Sequence, residues 1–226
     1  MSLPDLTREQ LDTLAIDRDR PLLVVDADEV LVHFLRHFRD YVDNRGWRLD
    51  LSDYRLDKAL IRQGGEETAS RDEGLALIDA FFDAEVSRQQ MIPGAAEALR
   101  SLSRLSQVVI LTNLPHPARA GRVANLSGHG LDYPVVTNRG GKGHALSELA
   151  ARTDRAVAFV DDSAVQIESV ARHAPAVRRV QLIGCDWAAP ALPRAPSAEL
   201  FASTWGDAVP WLTEALDAPA GVRGRG

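Results

Sequence analysis

Leu22-Leu23-Val24-Val25-Asp26-Ala27-Asp28-Glu29-Val30 is a short aliphatic run that stops abruptly at two carboxylates spaced one residue apart. Four large aliphatic residues without polar alternation suit a strand covered on both faces, as in a parallel sheet with helices on either side. A strand that ends at Asp26 leads into a tight bend. Asp26 and Asp28 then both point into the crevice at its carboxyl end, where open α/β sheets bind ligands. Paired carboxylates invite a hard cation such as Mg²⁺, which takes oxygen ligands and commonly bridges to substrate phosphate. An Asp after a buried strand also serves as a helix N-cap or turn residue, so the choice between these readings rests on what the other strand ends carry.

Outward from this strand, a leading helix is expected over 5–19, with Leu6, Leu11 and Leu14 available to pack. After the bend, Leu35, Phe38, Tyr41 and Val42 recur at helical spacing; beyond Gly64-Gly65, Leu75, Ile78, Phe81, Phe82 and Val86 form a second stripe, read as packing core. The stretch 49–60 between them is mixed and polar. Past Ile92-Pro93-Gly94, Ala95, Leu99 and Leu102 share a helix face, and 108–111 reads as a second buried strand ending in Thr112-Asn113. Far more chain separates these two strands than one crossover helix requires. Residues 36–90 are therefore expected to form a small all-helical cap.

Further strands are predicted at 133–136, 157–160 and 180–183, with an edge strand at 200–202. Helices are predicted at 143–152, around Ala164, Ile167 and Ala171, and near 207–216. This alternation predicts an α/β protein built on a doubly wound parallel sheet with right-handed crossovers. The expected organisation is a core of residues 1–35 and 91–217, a helical cap of 36–90 and a flexible tail of 218–226.

The chain has 226 residues and a formal charge of -6, which argues against a general binder of nucleic acid or of anionic membrane, since either needs a basic face. Cys185, the sole cysteine, has no partner for an internal disulfide, and no Cys/His spacing suggests zinc; it reads as a buried bystander. Residues 1–20 are polar, and no segment approaches the length of a membrane span, so a cytoplasmic location is expected. The sequence carries no signal of oligomeric state.

Polar groups recur at strand ends or beside them in four places: Asp26/Asp28, Thr112/Asn113, Lys142 and Asp161/Asp162. That order, in VVDADEV, VVILTN, GGKG and AFVDDS, resembles the haloacid dehalogenase superfamily. Its pattern is a strand with Asp-x-Asp, a strand ending in Thr or Ser, a lone Lys before a helix, and a strand ending in an acidic pair. The resemblance covers nearly the whole chain.

The resemblance implies that Asp26 is a nucleophile forming an aspartyl-phosphate. Asp28 becomes general acid and then base, which calls for a raised pKa. Thr112 and the amide of Asn113 hold phosphoryl oxygens, and Lys142 neutralises Asp26 and the phosphate, with Arg139 as the alternative cation. Asp161 and Asp162 complete a Mg²⁺ shell with Asp26 and the backbone carbonyl of Asp28, either of the pair being the direct ligand. The residues themselves add that two adjacent acids at the end of a buried strand repel unless a cation is near, and that Gly140-Gly141-Lys142-Gly143 lacks the spacing of a Walker loop. Two positions depart from the pattern. Glu29 stands where many relatives have Gly, and Gln166 where some carry an acid.

The function this implies is a Mg²⁺-dependent phosphatase of a small phosphorylated metabolite. The alternatives are a phosphonatase, with Lys58 as the cap lysine, a phosphomutase, a dehalogenase-like relative, against which Asp28 argues, or a non-catalytic phosphate-binding module. Arg36, Arg39, Arg62 and Gln63 are candidates to meet an anionic substrate, and His33 and His37, four residues apart, to bind metal.

Overall fold

The aliphatic run forms β1 (Leu22–Val25), buried along its whole length. The computed structural model describes residues 3–51, 59–185, 188–189 and 192–218. Ahead of β1 lies α1 (Asp5–Asp12). After it come α2 (Leu35–Asp43), β2 (Trp47–Leu49), β3 (Leu60–Arg62) and α3 (Arg71–Glu85). Then follow α4 (Ala95–Leu102), β4 (Gln107–Thr112), α5 (Arg119–Gly128), β5 (Val135–Thr137), α6 (Gly143–Ala150) and β6 (Val157–Asp161). The chain continues through α7 (Ala164–His173), β7 (Arg178–Leu182), β8 (Leu200–Ala202) and α8 (Trp205–Asp217).

Six of these strands make one parallel sheet in the order β5-β4-β1-β6-β7-β8. The chain winds outward from β1 through β4 to β5, then restarts on the other side of β1 at β6. The switch point therefore lies between β1 and β6, where this topology opens a crevice at the carboxyl ends. Alternate residues of β1 feed two cores. Leu23 and Val25 pack with α4 and α8, whereas Leu22 and Val24 pack with α6 and α7. The α6–α7 contact is close: a Cβ on Gly143 would come within 2.2 Å of Ser169 O, and one on Gly141 within 2.4 Å of Ser169 Oγ. The glycines around Lys142 thus serve helix packing.

The insertion between β1 and β4 has its own apolar cluster, with Phe81 edge-on to Phe34, Phe38 and Tyr41 at centroid distances of 5.4 Å. It is not all-helical. β2 and β3 pair antiparallel within it, Trp47 opposite Arg62, whose guanidinium lies 3.9 Å from the Trp47 ring centroid. Strands of three residues are too short to show a period of two in sequence. The leading helix ends at Asp12, not 19, and leaves Leu6 exposed. Lys58 and most of the proposed tail, residues 219–226, lie outside the described residues. Among the described residues, no helix is long and apolar enough to cross a membrane.

Candidate active site

Asp26 follows β1 directly, and its backbone N–H still donates to Val160 O of β6 at 2.9 Å. The parallel register that sets Val25 beside Val160 therefore brings Asp26 to Asp161, the last residue of β6. One carboxylate oxygen from each of Asp26, Asp161 and Asp162 lies within 4.8 Å of the others, and all three residues are buried. Lys142, at the start of α6, reaches into this group: its Nζ is 2.7 Å from Asp26 Oδ1 and 2.6 Å from Asp161 Oδ2. Arg139 is exposed and lines other surface hollows, so the cation at Asp26 is Lys142.

Burial alone would push the Lys142 ammonium down, but the Asp161 and Asp26 carboxylates outweigh it and hold it above its ordinary value. Burial raises Asp161 to about 7 against the pull of Lys142, with Asp26 adding to the rise. Three carboxylates facing one ammonium form a donor set that fits a hard divalent cation. Gln166 takes no part in that set. Its Oε1 accepts from the Lys142 backbone N–H at 2.8 Å and its Nε2 donates to Gly140 O at 3.2 Å, so it fixes the loop that presents Lys142.

At the end of β4, Thr112 Oγ1 is buried and meets no hydrogen-bond partner among the described residues, as expected of a group that completes its bonding with a ligand. The Asn113 side chain is committed elsewhere: its Nδ2 donates to Gly140 O at 2.8 Å, and its Oδ1 accepts from Asn138 Nδ2 at 2.9 Å.

Asp28 is held by residues that sequence reasoning missed. Arg122, fully buried on α5, donates from Nη2 to Asp28 Oδ1 at 2.5 Å and to Gln89 Oε1 at 2.8 Å. Gln89 Nε2 donates to His33 O at 3.0 Å and, at 3.3 Å, to Asp28 Oδ1. Asn125 Nδ2 donates to Gln89 O at 2.8 Å. These bonds tie Asp28 to both chain segments that join the insertion to the core. Burial raises the Asp28 pKa; Arg122 pulls it down, the Asp26 charge raises it, and the net direction is up. The signal in the sequence was faint: Arg122 and Asn125 share a helix face with the buried Leu126.

Glu29 adopts φ 59°, the left-handed backbone that glycine favours, which is the conformation that the Gly expected here from the resemblance would suit. Its buried carboxylate compensates by accepting the N–H groups of Phe34 and Leu35, both at 2.6 Å, at the start of α2. Burial raises its pKa despite those bonds, and Cys185 lies beside it.

A cavity of about 520 Å³ opens above the carboxylates. Asp26, Asp28, Thr112, Asn113 and Asp162 line its core side, and Lys142, paired to both Asp26 and Asp161, lies behind Asp26. Arg71, Leu75, Ile78 and Phe82 of α3 line the side facing them. Arg36, Arg39, Arg62 and Gln63 do not reach it: Arg39 pairs with Asp40, and Gln63 Nε2 donates to Asp43 O. His37 Nε2 accepts from Gln90 N–H at 3.2 Å, and neither His33 nor His37 belongs to a metal-capable group among the described residues.

No protein-family model matches the chain, and no curated protein matches it in sequence. Solved structures match it in shape. A haloacid dehalogenase family hydrolase from Deinococcus radiodurans with bound phosphate and sodium aligns with a TM-score of 0.57 and 17% identity, over 88% of this chain and 97% of that one. A haloacid dehalogenase-like hydrolase from Streptococcus pneumoniae aligns with a TM-score of 0.64 and 10% identity, over 85% and 98% of the two chains. The L-2-haloacid dehalogenase of Xanthobacter autotrophicus aligns with a TM-score of 0.58 and 15% identity, again over 85% and 98%. At such identities the likeness is one of fold.

Proposed function

Because the chain has the fold of the haloacid dehalogenase-like hydrolases, we propose that it is a Mg²⁺-dependent phosphatase that acts on a small phosphorylated metabolite through an aspartyl-phosphate. The observation that carries this reading is the meeting of Asp26, Lys142 and Asp162 at the floor of a cavity whose wall holds Asp28 and Thr112. An Asp26 oxygen attacks phosphorus as the bond to the leaving oxygen breaks, and Asp28, whose pKa burial raises, gives that oxygen its proton from its protonated form. The ionised Asp28 then takes a proton from the water that attacks the phosphoenzyme, releasing Asp26 and inorganic phosphate. Two carboxyls in different surroundings thereby divide nucleophile and acid between them.

Thr112 Oγ1 and the backbone N–H of Asn113 donate to phosphoryl oxygens, and Lys142 balances the charge that gathers on them. Asp26, Asp162 and the Asp28 carbonyl would hold Mg²⁺ directly, with the Asp161 carboxylate close behind them, and the ion when bound supplies positive charge beside the phosphoryl group. Of the acidic pair, Asp162 is assigned as the direct ligand because it lines the cavity. Asp161 is committed to Lys142 Nζ and, at 2.9 Å, to the Ser163 N–H.

The dehalogenase reading is set aside because it leaves the raised, buried carboxyl of Asp28 without a task. Hydrolysis of p-nitrophenyl phosphate with Mg²⁺ and with EDTA tests the proposal. Turnover should require Mg²⁺ and vanish in Asp26→Asn. A folded wild type that turns over no phosphate ester would instead be a binding module.

A further inference from the structure

We infer that the substrate is the phosphate monoester of an apolar alcohol, with an aryl or branched alkyl group, rather than a sugar phosphate or a nucleotide. The inference rests on the phosphatase reading and concerns the organic half of the same cavity. Four residues of α3 face that half: Arg71, Leu75, Ile78 and Phe82. Their spacing places them within about 60° of one another around the helix axis, a single stripe running over the carboxylates. Phe34 and Leu35 extend the apolar surface at the Phe82 end, where the Phe34 and Phe82 rings stack at 5.4 Å. Arg71 is the stripe's only polar side chain, and it lies roughly 16 Å along the axis from Phe82.

The stripe shares Phe82 with the insertion's own core, and Ile78 packs against that core, but Leu75 lies outside it. Phe81, which fills that core, is completely buried, whereas Leu75 is 39% exposed and Ile78 half-buried. The acidic residues Asp72, Glu73, Asp79 and Asp83 point away from the cavity lining. The helix therefore presents uncovered apolar surface to the space above the phosphoryl site. The hydroxyls of a sugar or ribose placed against Phe34, Leu75 and Ile78 would lose water without gaining a partner. A phenyl or branched alkyl group would cover the same surface with a gain for each apolar area removed from water. A volume of about 520 Å³ takes a phosphoryl group together with a group of that size.

The test compares esters of similar leaving-group reactivity: benzyl and 3-methylbutyl phosphate against glucose 6-phosphate and glycerol 3-phosphate. For the wild type with Mg²⁺, kcat/KM should favour the apolar pair by about tenfold or more, the scale of one well-buried side-chain-sized group. The double variant Leu75→Gln/Ile78→Gln, with folding checked by circular dichroism, should collapse that ratio. Equal or better turnover of the sugar and glycerol esters by the wild type would overturn the inference while leaving the phosphatase standing. So would a double variant that loses activity on all four esters alike, since the stripe would then seal the insertion against the core. Absence of turnover on every ester, p-nitrophenyl phosphate included, would instead remove the phosphatase reading and this inference with it.

Discussion

Arg122 Nη2 donates to Asp28 Oδ1 at 2.5 Å from a fully buried position, so the candidate proton donor shares its carboxylate with a permanent positive charge. Burial raises the Asp28 pKa and Arg122 restrains that rise. Because the first step uses Asp28 in its protonated form, kcat/KM should fall as pH rises through its pKa. Arg122→Met, which keeps the volume and removes the charge, should move this basic limb to higher pH, while Arg122→Lys should leave it close to the wild type. A limb that stays in place in a folded Arg122→Met variant would show that Arg122 only braces the segments that join the insertion to the core.

Lys142 sits between Asp26 and Asp161 with its ammonium buried. Lys142→Met should destabilise the metal-free protein by about 3–5 kcal/mol, the usual cost of leaving a buried ion pair without one partner. Mg²⁺ offers a second source of positive charge at the same carboxylates. At a hundredfold excess over its Kd it should return about 2.7 kcal/mol by mass action. Denaturant titrations of the variant in EDTA and in Mg²⁺ measure both numbers, and equal stabilities in the two buffers would contradict a cation site there.

The raised carboxyls set a direction for stability against pH. Asp28, Glu29 and Asp161 hold protons in the folded protein at pH values where the unfolded chain has released them. Between about 4, the ordinary carboxyl value, and about 7, reached by Asp161, these three carboxyls bind more protons in the native state than in the unfolded one. Their contribution to stability without metal should therefore fall as pH rises through this window, while His37 and His116, held below their ordinary value chiefly by burial, act in the opposite direction. Thermal unfolding in EDTA from pH 5 to pH 7.5 should show a Tm that declines more steeply, or rises less, in the wild type than in Asp161→Asn, and Mg²⁺ should reduce that difference by favouring the ionised carboxylate.

Phe81 anchors the insertion through edge contacts with Phe34, Phe38 and Tyr41. Phe81→Ala should cost about 3–5 kcal/mol, as for other large buried aromatics. Hydrogen exchange should locate the loss in α2 and α3 and spare β1, β4 and β6. Uniform loss of protection across the sheet would mean that the insertion and the sheet unfold as one unit.

The sheet was legible because a parallel strand buried on both faces shows itself as an unbroken aliphatic run, and Leu22–Val25 is one. The acids at its end were legible because β1 and β6 pair in register and terminate together, so Asp26 and Asp161 meet without long-range guesswork. Arg122 was not legible. Its role depends on Asp28, 94 residues earlier in the chain, and a helix face with one arginine looks the same whether that arginine is solvated or buried. Leu75 and Ile78 were visible as a stripe and read as core; Ile78 does pack against the insertion's core, but Leu75 is exposed, since periodicity reports that a face is apolar but not what lies opposite. Glu29 and Gln166 looked like gaps in a pattern. Each proves to hold a neighbouring segment in place, through the α2 N–H groups and the Lys142 loop respectively.

The central claim is that Asp26 becomes phosphorylated. Asp28→Asn cannot serve as acid or base, so it should form the phosphoenzyme from p-nitrophenyl phosphate, whose leaving group needs little protonation, and hydrolyse it slowly. Acid quench of this variant in Mg²⁺, followed by peptide mass spectrometry, should find one phosphoryl group on the peptide containing Asp26, and none when Asp26→Asn is added. A fully active Asp26→Asn enzyme, or a phosphoryl group found on any other residue, would contradict the account.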